Sequence, residues 1–450
     1  MSGSTEAGSW DAEWRALAEK ELRGAPLSSL SPKRHDGLAI APVLSESPAE
    51  TGLSTAPASR RAVLVTDRAE DLGLAIGGVW WRGPSAPPAG TALVVDERDP
   101  RWIDAASAHE AGASAVTEVA VAAFRLAREP DPAGVLVAVG TELFVEIAKL
   151  RAMRRLGARV LAARGRAPGI VIAARSAERS ASLLDPATNV VRSTLGVTAS
   201  MIGGADVVGA LPMDVAATER SSRAARVARN VPVVADREAH LFAVDDAARG
   251  SFEVEALTNG IARDAWEIAR AWLAAADAAS EIERRIAEDA RARRAAIASR
   301  RLPLVGASRF PLAGEPVGPA RSPGALRDAS AFEVARRGAA LAVEVVVVGP
   351  PAAIEARVAF VREVLAVGGF AVDGADARLA VVCAADASFE TELPAVIREL
   401  TARGVAAFVA GKPGPAESAL RTAGAKGFVA LGQDLPTFYD ALRAAQGGPR

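Results

Sequence analysis

Histidine, tyrosine and cysteine are scarce in this chain. Its 450 residues include three histidines, one tyrosine (Tyr439) and one cysteine (Cys383). A single cysteine excludes an internal disulfide and fits a reducing compartment. Imidazole, phenol and thiol groups, which serve in acid–base chemistry or metal binding, therefore have few possible positions.

Long apolar runs and a strong charge imbalance are also missing. No run reaches the roughly 18–20 apolar residues that a membrane span requires, and residues 1–14 show no basic-then-apolar pattern of a signal peptide. The formal net charge of −1 gives no general attraction to nucleic acid or anionic lipid. We expect a soluble cytoplasmic protein.

What the chain does contain is a series of short apolar runs separated by amphipathic segments. The predicted strands are 38–44, 62–66, 74–80, 92–96, 134–139, 169–174, 206–210 and 231–235, and the predicted helices are 141–157, 178–200, 214–229 and 253–276. Continuous apolar strands that alternate with helices indicate a parallel sheet buried on both faces. About eight strands predict an abbreviated TIM-type β/α barrel, with its front half (56–96) shortened.

The last third of the chain predicts a second α/β domain. Residues 277–300 have the charge spacing of a solvated helix, and 303–323 are rich in proline and glycine, as in a linker. Predicted strands at 343–348, 378–383, 405–410 and 427–431 alternate with helices at 351–367, 389–403, 414–423 and 435–445. This order predicts a flavodoxin-like doubly wound domain. The predicted organisation is an N-terminal arm (1–34), a barrel (35–276), a helical bridge and linker (277–330) and the flavodoxin-like domain (331–450).

The N-terminal arm carries an aromatic stripe. Trp10, Trp14 and Leu17 lie at i, i+4 and i+7, one face of a short helix. Two tryptophans on a terminal helix indicate either a docking surface for a partner or packing on the chain's own barrel.

Five segments together resemble a known family. They are FVEIAKLRAMRRLGA (144–158), LLDPATNVVRST (183–194), MIGGADVV (201–208), RAARVARNVPVVADRE (223–238) and GSFEVEALT (250–258). In this order they resemble the barrel domain of the cobalamin-dependent acyl-CoA mutases, above all methylmalonyl-CoA mutase. The resemblance implies a barrel followed by a flavodoxin-like domain.

The positions that carry chemistry in the catalytic members hold other residues here. The family's barrel histidine before EAGA falls at Ser107, two residues before His109, which we expect to be a polar surface or lining residue. A second, substrate-contacting histidine falls at Gly209, and the cobalt-ligating histidine falls near Ile354. The N-terminal tyrosine motif has no counterpart in 41–50. We therefore predict no catalytic, cofactor-binding or metal-ligating residues.

Several polar residues survive from the resemblance, and for them we favour a structural role over CoA binding. They are Asn189, Arg192, Arg226, Asn230, Glu238, Asp245 and Ser251, which we expect at the ends of elements, where they satisfy backbone groups. Lys149 is interpreted as a packed, ion-paired helix residue. Gly203–Gly204 and Gly411 are expected in turns, without the spacing of a nucleotide-binding loop.

Within the family, residues 302–311 and 381–414, with Cys383 and Asp386, resemble the small (beta) subunit of the heterodimeric methylmalonyl-CoA mutases. The resemblance implies a non-catalytic subunit that binds no cofactor itself and pairs with a catalytic large subunit holding adenosylcobalamin. Two alternatives stay open: a free-standing scaffold for a CoA mutase or a cobalamin-loading chaperone, and a self-sufficient acyl-CoA mutase. The acyl substrate of the partner does not follow from the sequence.

Overall fold

The computed structural model describes residues 4–31, 36–38, 60–312, 314–321, 327–337, 340–373 and 377–446. The chain divides into two compact units. The first comprises Met1–Ser180, Val190–Val215 and Arg220–Ala292, and the second comprises Ala181–Asn189, Ala216–Glu219 and Arg293–Arg450. No described helix is both long and apolar enough to cross a membrane.

Up to Ala298 the strands are short and parallel, and from β5 onward they alternate with helices. The strands are β1 (Arg61–Ala62), β2 (Leu64–Thr66), β3 (Val79–Trp81), β4 (Leu93–Asp96), β5 (Trp102–Asp104), β6 (Gly134–Val139), β7 (Ile172–Ser176) and β8 (Val207–Gly209). The helices are α1 (Ser4–Glu21), α2 (Ala106–Glu110), α3 (Ala115–Arg128), α4 (Leu143–Ala163), α5 (Thr188–Ile202), α6 (Ser222–Arg237), α7 (Phe252–Ala274) and α8 (Ala278–Ala298).

The strands of the first unit form two parallel sheets, which adjoin where β1 passes into β2. Their orders are β1-β8-β7-β6-β5 and β2-β3-β4. Only Val63 separates β1 from β2, and its N–H donates to the carbonyl of Val208 at 3.0 Å. The first strand of the unit thus pairs with the last, as a β/α barrel requires. Between β4 and β5, however, no pairing joins the described residues. The prediction of a parallel α/β architecture is confirmed, and a closed barrel is not.

The core of this unit explains why the strands read as unbroken apolar runs. All six residues of β6 are buried, because α3, α4 and α7 pack into the same core cluster. Helix α3 begins at Ser114, whose side chain accepts a hydrogen bond from the N–H of Thr117, an N-cap that satisfies one of the free donors of the first turn.

Several predictions for this unit are wrong or incomplete. The helices predicted at 178–200 and 214–229 begin later, as α5 (Thr188–Ile202) and α6 (Ser222–Arg237). Residues 231–235 are not a strand: they lie in α6, because the apolar side chains Ala224, Ala228 and Pro232 recur at helical spacing and are buried. Of the strand predicted at 74–80, only the last two residues lie in a strand, β3. Gly77 and Gly78 both have positive φ, outside the range of a regular strand. The sequence prediction missed β5 altogether. The strand predicted at 38–44 lies outside the described residues beyond Leu38.

The second unit contains a five-stranded parallel sheet. Its strands are β9 (Ala342–Val348), β10 (Ala371–Val372), β11 (Leu379–Ala384), β12 (Ala406–Ala410) and β13 (Gly427–Val429), and its helices are α9 (Ser330–Arg336), α10 (Pro351–Val367), α11 (Leu393–Ala402), α12 (Glu417–Ala423) and α13 (Leu435–Ala445). The strand order β10-β9-β11-β12-β13 is the 2-1-3-4-5 order of flavodoxin-like sheets. One sheet face packs against α10 and α13, and the other packs against α11 and α12.

The amino-terminal ends of β7 and β8 are tied to α4 by one buried arginine. Arg154 donates to the carbonyls of Ile170 (2.9 Å) and Gly204 (2.5 Å) and to the carboxylate of Asp206 (2.7 Å). The same Asp206 carboxylate accepts the N–H of Ile172 at 2.8 Å. This charge pair therefore satisfies three buried backbone groups as well as its own two charges.

We predict that Arg154→Ala lowers the free energy of unfolding by about 3–5 kcal/mol, because it leaves the Asp206 carboxylate buried without its partner. The matched control is Arg166→Ala, which removes an exposed ion pair with Asp131 and should cost about 0–1 kcal/mol. Urea denaturation followed by circular dichroism measures both values. Equal losses in the two variants would contradict this account of Arg154.

Candidate functional site

Two sequence-predicted residues of the first unit, His109 and Lys149, lie near the carboxyl ends of β5 and β6, where β/α folds place their functional groups. His109 lies on α2, directly after β5. Instead of facing solvent, it is buried with Glu118 on α3 and with Glu146 and Lys149 on α4. We call these four side chains the buried quartet. The expectation of a surface or lining position for His109 is wrong.

Lys149 is the centre of the buried quartet. Its ammonium lies 2.7 Å from the Glu118 carboxylate and 2.6 Å from that of Glu146, and it donates to the carbonyl of Ala138 at 2.7 Å. Three acceptors match the three protons of an ammonium group. The interpretation of Lys149 as an ion-paired helix residue is confirmed. His109 completes the group, with Nδ1 2.9 Å from Glu118.

Two carboxylates share one ammonium here, so the quartet has an excess of negative charge if both are ionised. Burial, reinforced by the neighbouring Glu146, raises the pKa of Glu118 to about 7, although Lys149 acts in the opposite direction. Burial alone would lower the pKa of Lys149, but Glu118 and Glu146 together raise it above its ordinary value. Near neutral pH Glu118 is therefore partly protonated while Lys149 stays charged.

A second network fills the space beside the quartet. Arg175 on β7 donates to Glu110 at 2.7 Å and lies 3.5 Å from Glu97. Glu97 also accepts from the indole of the fully buried Trp80 at 2.9 Å and pairs with Arg82 at 3.2 Å. Side chains that follow or lie on β3, β4, β5 and β7 thus neutralise one another across the unit.

Glu110 is the anchor of this network. Besides Arg175, its carboxylate accepts the backbone N–H groups of Glu178 (2.9 Å) and Arg179 (2.7 Å). Burial opposes its ionisation, but Arg175 and the two N–H donors hold the pKa of Glu110 below its ordinary value. The glutamate that the family motif contains therefore serves here to fix the turn after β7.

Gly209 closes the position where the resemblance implies a substrate-contacting histidine. A Cβ on Gly209 would lie 2.2 Å from Cγ2 of Val65 and 3.4 Å from the carbonyl oxygen of Val63. Since β8 packs this tightly against the segment that follows β1, not even a methyl group fits without a shift of the Val65 side chain. The polar cavity nearby, lined by Thr66, Asp71 and Asp214 among others, has about 10 Å³, room for about one water.

Ser107, at the position of the other family histidine, is exposed and has a local role. Its N–H donates to Asp104 at 2.9 Å, and its hydroxyl donates to the same carboxylate. Asp104 thereby caps the start of α2. Ser107 and His109 lie on different sides of this short helix, one in solvent and one in the core.

The surviving polar residues differ in role. Asn189 meets the structural prediction: it is buried, donates to the carbonyl of Ser182 at 2.8 Å and accepts its N–H at 3.0 Å. Arg226 and Asn230 lie within α6 and not at its ends. Ser251 precedes α7 but makes no capping hydrogen bond through its side chain. These polar residues lie on different elements and do not form one site.

In the second unit, the carboxyl end of the sheet is covered by the chain itself. Ile354 is buried in the first turn of α10 and offers no lone pair to a metal. Arg357, one turn later, donates to the carbonyl of Ala384, pairs with Asp386 at 2.7 Å and lies over the ring of Phe389, with 5.5 Å to its centroid. The phenol of Tyr439 is likewise buried and donates to the carbonyl of Val364.

The partners of these residues could not be found by sequence reasoning. Glu118 lies nine positions from His109 and 31 from Lys149, so neither spacing is a motif. Only Glu146 and Lys149, at i and i+3 on α4, leave a signal in the sequence. Across the residues that the structure describes, no group of three or more His, Cys, Asp or Glu side chains could hold a metal ion.

We predict that two variants of the quartet differ strongly in their free energy of unfolding. Lys149→Met leaves two buried carboxylates without their cation and should cost about 3–5 kcal/mol of unfolding free energy at pH 7. Glu118→Gln removes the excess carboxylate and keeps a hydrogen-bonding side chain, so it should be tolerated far better.

The pH dependence follows from the raised pKa of Glu118. The folded protein keeps a proton that the unfolded chain releases, so this group's contribution to stability falls as pH rises from about 4.5 to 7. Relative to wild type, Glu118→Gln should gain on the order of 2 kcal/mol between pH 5 and pH 8. Urea titrations across that range measure the difference, and a constant difference would show that Glu118 does not titrate there.

Comparison with known proteins agrees with the resemblance. The family model described as "Methylmalonyl-CoA mutase" matches residues 135–334. A "Probable methylmalonyl-CoA mutase small subunit" of Mycobacterium bovis is 32% identical over 355 residues, covering 67% of this chain and 58% of that protein. The "Methylmalonyl-CoA mutase small subunit" of Streptomyces virginiae is 33% identical over 368 residues, covering 69% and 59%.

A more distant small subunit, from Propionibacterium freudenreichii subsp. shermanii, is 29% identical over 267 residues, covering 51% of this chain and 41% of that protein. The matched part of the chain thus spans less than two thirds of the length of these relatives. The resemblance deduced from the sequence is confirmed. The chain belongs to the methylmalonyl-CoA mutase family, and the relatives it resembles most within these matches are small subunits.

Proposed function

We propose that this chain is the non-catalytic small subunit of a heterodimeric, adenosylcobalamin-dependent methylmalonyl-CoA mutase. The holoenzyme would interconvert succinyl-CoA and methylmalonyl-CoA in the cytoplasm, and the catalytic large subunit would carry the cofactor and the substrate. This chain would contribute a folded partner surface and no reacting group.

The observation that carries the proposal is the closed position at Gly209. A side chain there would collide with Val65 at 2.2 Å, so the histidine implied by the resemblance is excluded by packing as well as by sequence. Beside it, Arg175, Glu97 and Trp80 neutralise and fill the space at the strand ends. A thioester substrate would have to break these buried ion pairs to enter, which is costly.

His109 offers no alternative acid for catalysis. It is buried, with Nδ1 bonded to Glu118, and Lys149 lies 3.4 Å away. A general acid must come within hydrogen-bond reach of the substrate. In the quartet, His109 serves to hold Glu118 against Lys149.

The cofactor that the family uses does not fit the second unit. The position of the cobalt ligand holds the buried aliphatic side chain of Ile354, and the carboxyl end of β11 is covered by Arg357, which bonds the carbonyl of Ala384. Ligands of such sheets bind at the carboxyl ends of the strands. The residues present favour a domain that keeps the fold and holds no cobalamin.

A partner chain is implied by the words "small subunit" in the names of the relatives. A chain that catalyses no reaction by itself would contribute to the enzyme by binding the catalytic subunit. The alternative of a free-standing scaffold differs in one testable respect, because it requires no stoichiometric complex with a mutase large subunit.

We predict that the isolated chain binds no adenosylcobalamin. Titration followed by visible absorbance should show no axial-ligand shift, since no imidazole is available at position 354. Equilibrium dialysis detects binding that leaves the spectrum unchanged. A stoichiometric complex of micromolar affinity would overturn the assignment of the cofactor to the partner.

We also predict that the chain co-purifies in equal amounts with a co-expressed large subunit, and that the complex turns over. In that complex, Ser107→Ala and His109→Ala should each keep kcat within about twofold of wild type, far from the roughly 10²–10⁴-fold loss that removal of a general acid causes. His109→Ala should lower thermal stability, because it disturbs the quartet. A hundredfold loss of kcat in an intact complex would contradict the proposed division of labour.

A further inference from the structure

An open groove of about 620 Å³ runs between helices α3 and α8 of the first unit. Its floor contains the buried side chains Ala108, Val121 and Phe124 and the half-buried Ile282 and Ile286. The groove lies apart from the quartet and from Gly209, and none of the residues discussed above as family positions, except Ser107 at one end, lines it.

The residues that form the α3 wall of the groove recur at helical spacing. On α3, Val121, Phe124, Arg125 and Arg128 lie at i, i+3, i+4 and i+7, one face over two turns. The N-terminal end of α3 is fixed to α8, where Asp289 accepts the hydroxyl of Thr117 at 2.6 Å and the N–H of Ser114 at 2.9 Å. The groove lies between the other halves of the two helices.

The walls carry opposite charges. Arg125 and Arg128 are exposed on the α3 wall: Arg125 donates to the carbonyl of Asp104 at 3.0 Å, and Arg128 lies over the ring of Phe124. Within the described part of the chain, neither guanidinium forms an ion pair. On the α8 wall, Glu283 is exposed and Asp277 accepts from Ser280 as an N-cap. A ligand that lies along the groove meets cations on one side and carboxylates on the other.

The lining of the groove also favours one backbone conformation, a helix, for the segment that binds there. Most of the lining residues lie on helices α2, α3 and α8, whose backbone groups bond largely within each helix, and three more lie in the turn 275–277. Strand β5 contributes only its last residue, Asp104, whose carbonyl already accepts from Arg125, so the groove offers little backbone to an added strand. An extended peptide on the apolar floor would bury N–H and C=O groups without partners, which is unfavourable. A helix satisfies its own backbone and presents only side chains.

We propose that this groove is the docking site of an amphipathic helix of the large subunit. The helix has an apolar stripe of about two turns, acidic side chains on the flank that faces α3 and basic side chains on the flank that faces α8. Burial of the stripe on the floor contributes affinity, and the opposed charges fix the direction of the helix. The inference rests on the proposed heterodimer and specifies one of its contact surfaces.

Charge reversal tests the groove. The variant Arg125→Glu/Arg128→Glu should weaken binding to the large subunit by roughly tenfold or more, because repulsion replaces attraction along the α3 wall. The matched control is Arg223→Glu/Arg226→Glu on α6, which alters two exposed arginines at the same i, i+3 spacing and changes the net charge equally. Sedimentation velocity at several concentrations measures the dissociation constants, and circular dichroism verifies that both variants are folded.

The two proposals fail in different ways. If the wild-type chain forms no complex with the large subunit, the proposed function is wrong and this inference falls with it. If the wild type forms the complex and Arg125→Glu/Arg128→Glu binds as tightly as the control, the heterodimer stands and the groove is not its contact.

Cross-linking identifies the occupant. Ala279→Cys places a thiol on the exposed α8 wall, whereas the native Cys383 is buried and burial raises its pKa to about 11, so that only the new thiol is labelled. A photoreactive maleimide attached to this introduced thiol should cross-link to an amphipathic helical segment of the large subunit. Cross-links to the chain's own α1, to a second copy of this chain or to a non-helical segment would overturn the proposal.

Discussion

The first strand of the first unit is held against the last, and much of the unit depends on this contact. Residues 61–63 bond to β8, and Val65 packs where a Cβ of Gly209 would lie. Because a glycine at 209 permits this approach, the strands that are most distant in sequence become neighbours. A Cβ at this position would require Val65 to shift, so the approach of the two strands depends on the glycine. One packing contact thus joins the two ends of the series of strands.

The charged side chains in the interior of this unit are paired with one another. The buried quartet satisfies one ammonium with two carboxylates and a carbonyl, and Arg175 bridges Glu110 and Glu97. Such groups are costly to bury singly and are stable only when each has a partner of opposite charge. The fold of this region therefore depends on the pairs and not on any one of their members.

Sequence reasoning succeeded where burial and periodicity agree and failed where tertiary contacts decide. The bounds of β6, α10 and α13 were predicted to the residue, since long apolar or amphipathic runs leave one interpretation. Residues 231–235 are apolar and contain three valines, but Pro232 continues the buried face of α6. The short β5 has no pattern of its own and depends on β6. The position of His109 could not be predicted, because its partner Glu118 lies on another helix.

In the second unit, the order of the strands and the ends of the strands depend on different contacts. The 2-1-3-4-5 order depends on buried strands such as β11, all of whose residues are inaccessible to solvent, and not on the loops at the carboxyl ends, where ligands of such sheets bind. At those ends, Arg357 bonds the last carbonyl of β11 and lies over the ring of Phe389. The last polar group of β11 is thereby satisfied from within the chain, so this end of the strand is stabilised by the chain's own side chains.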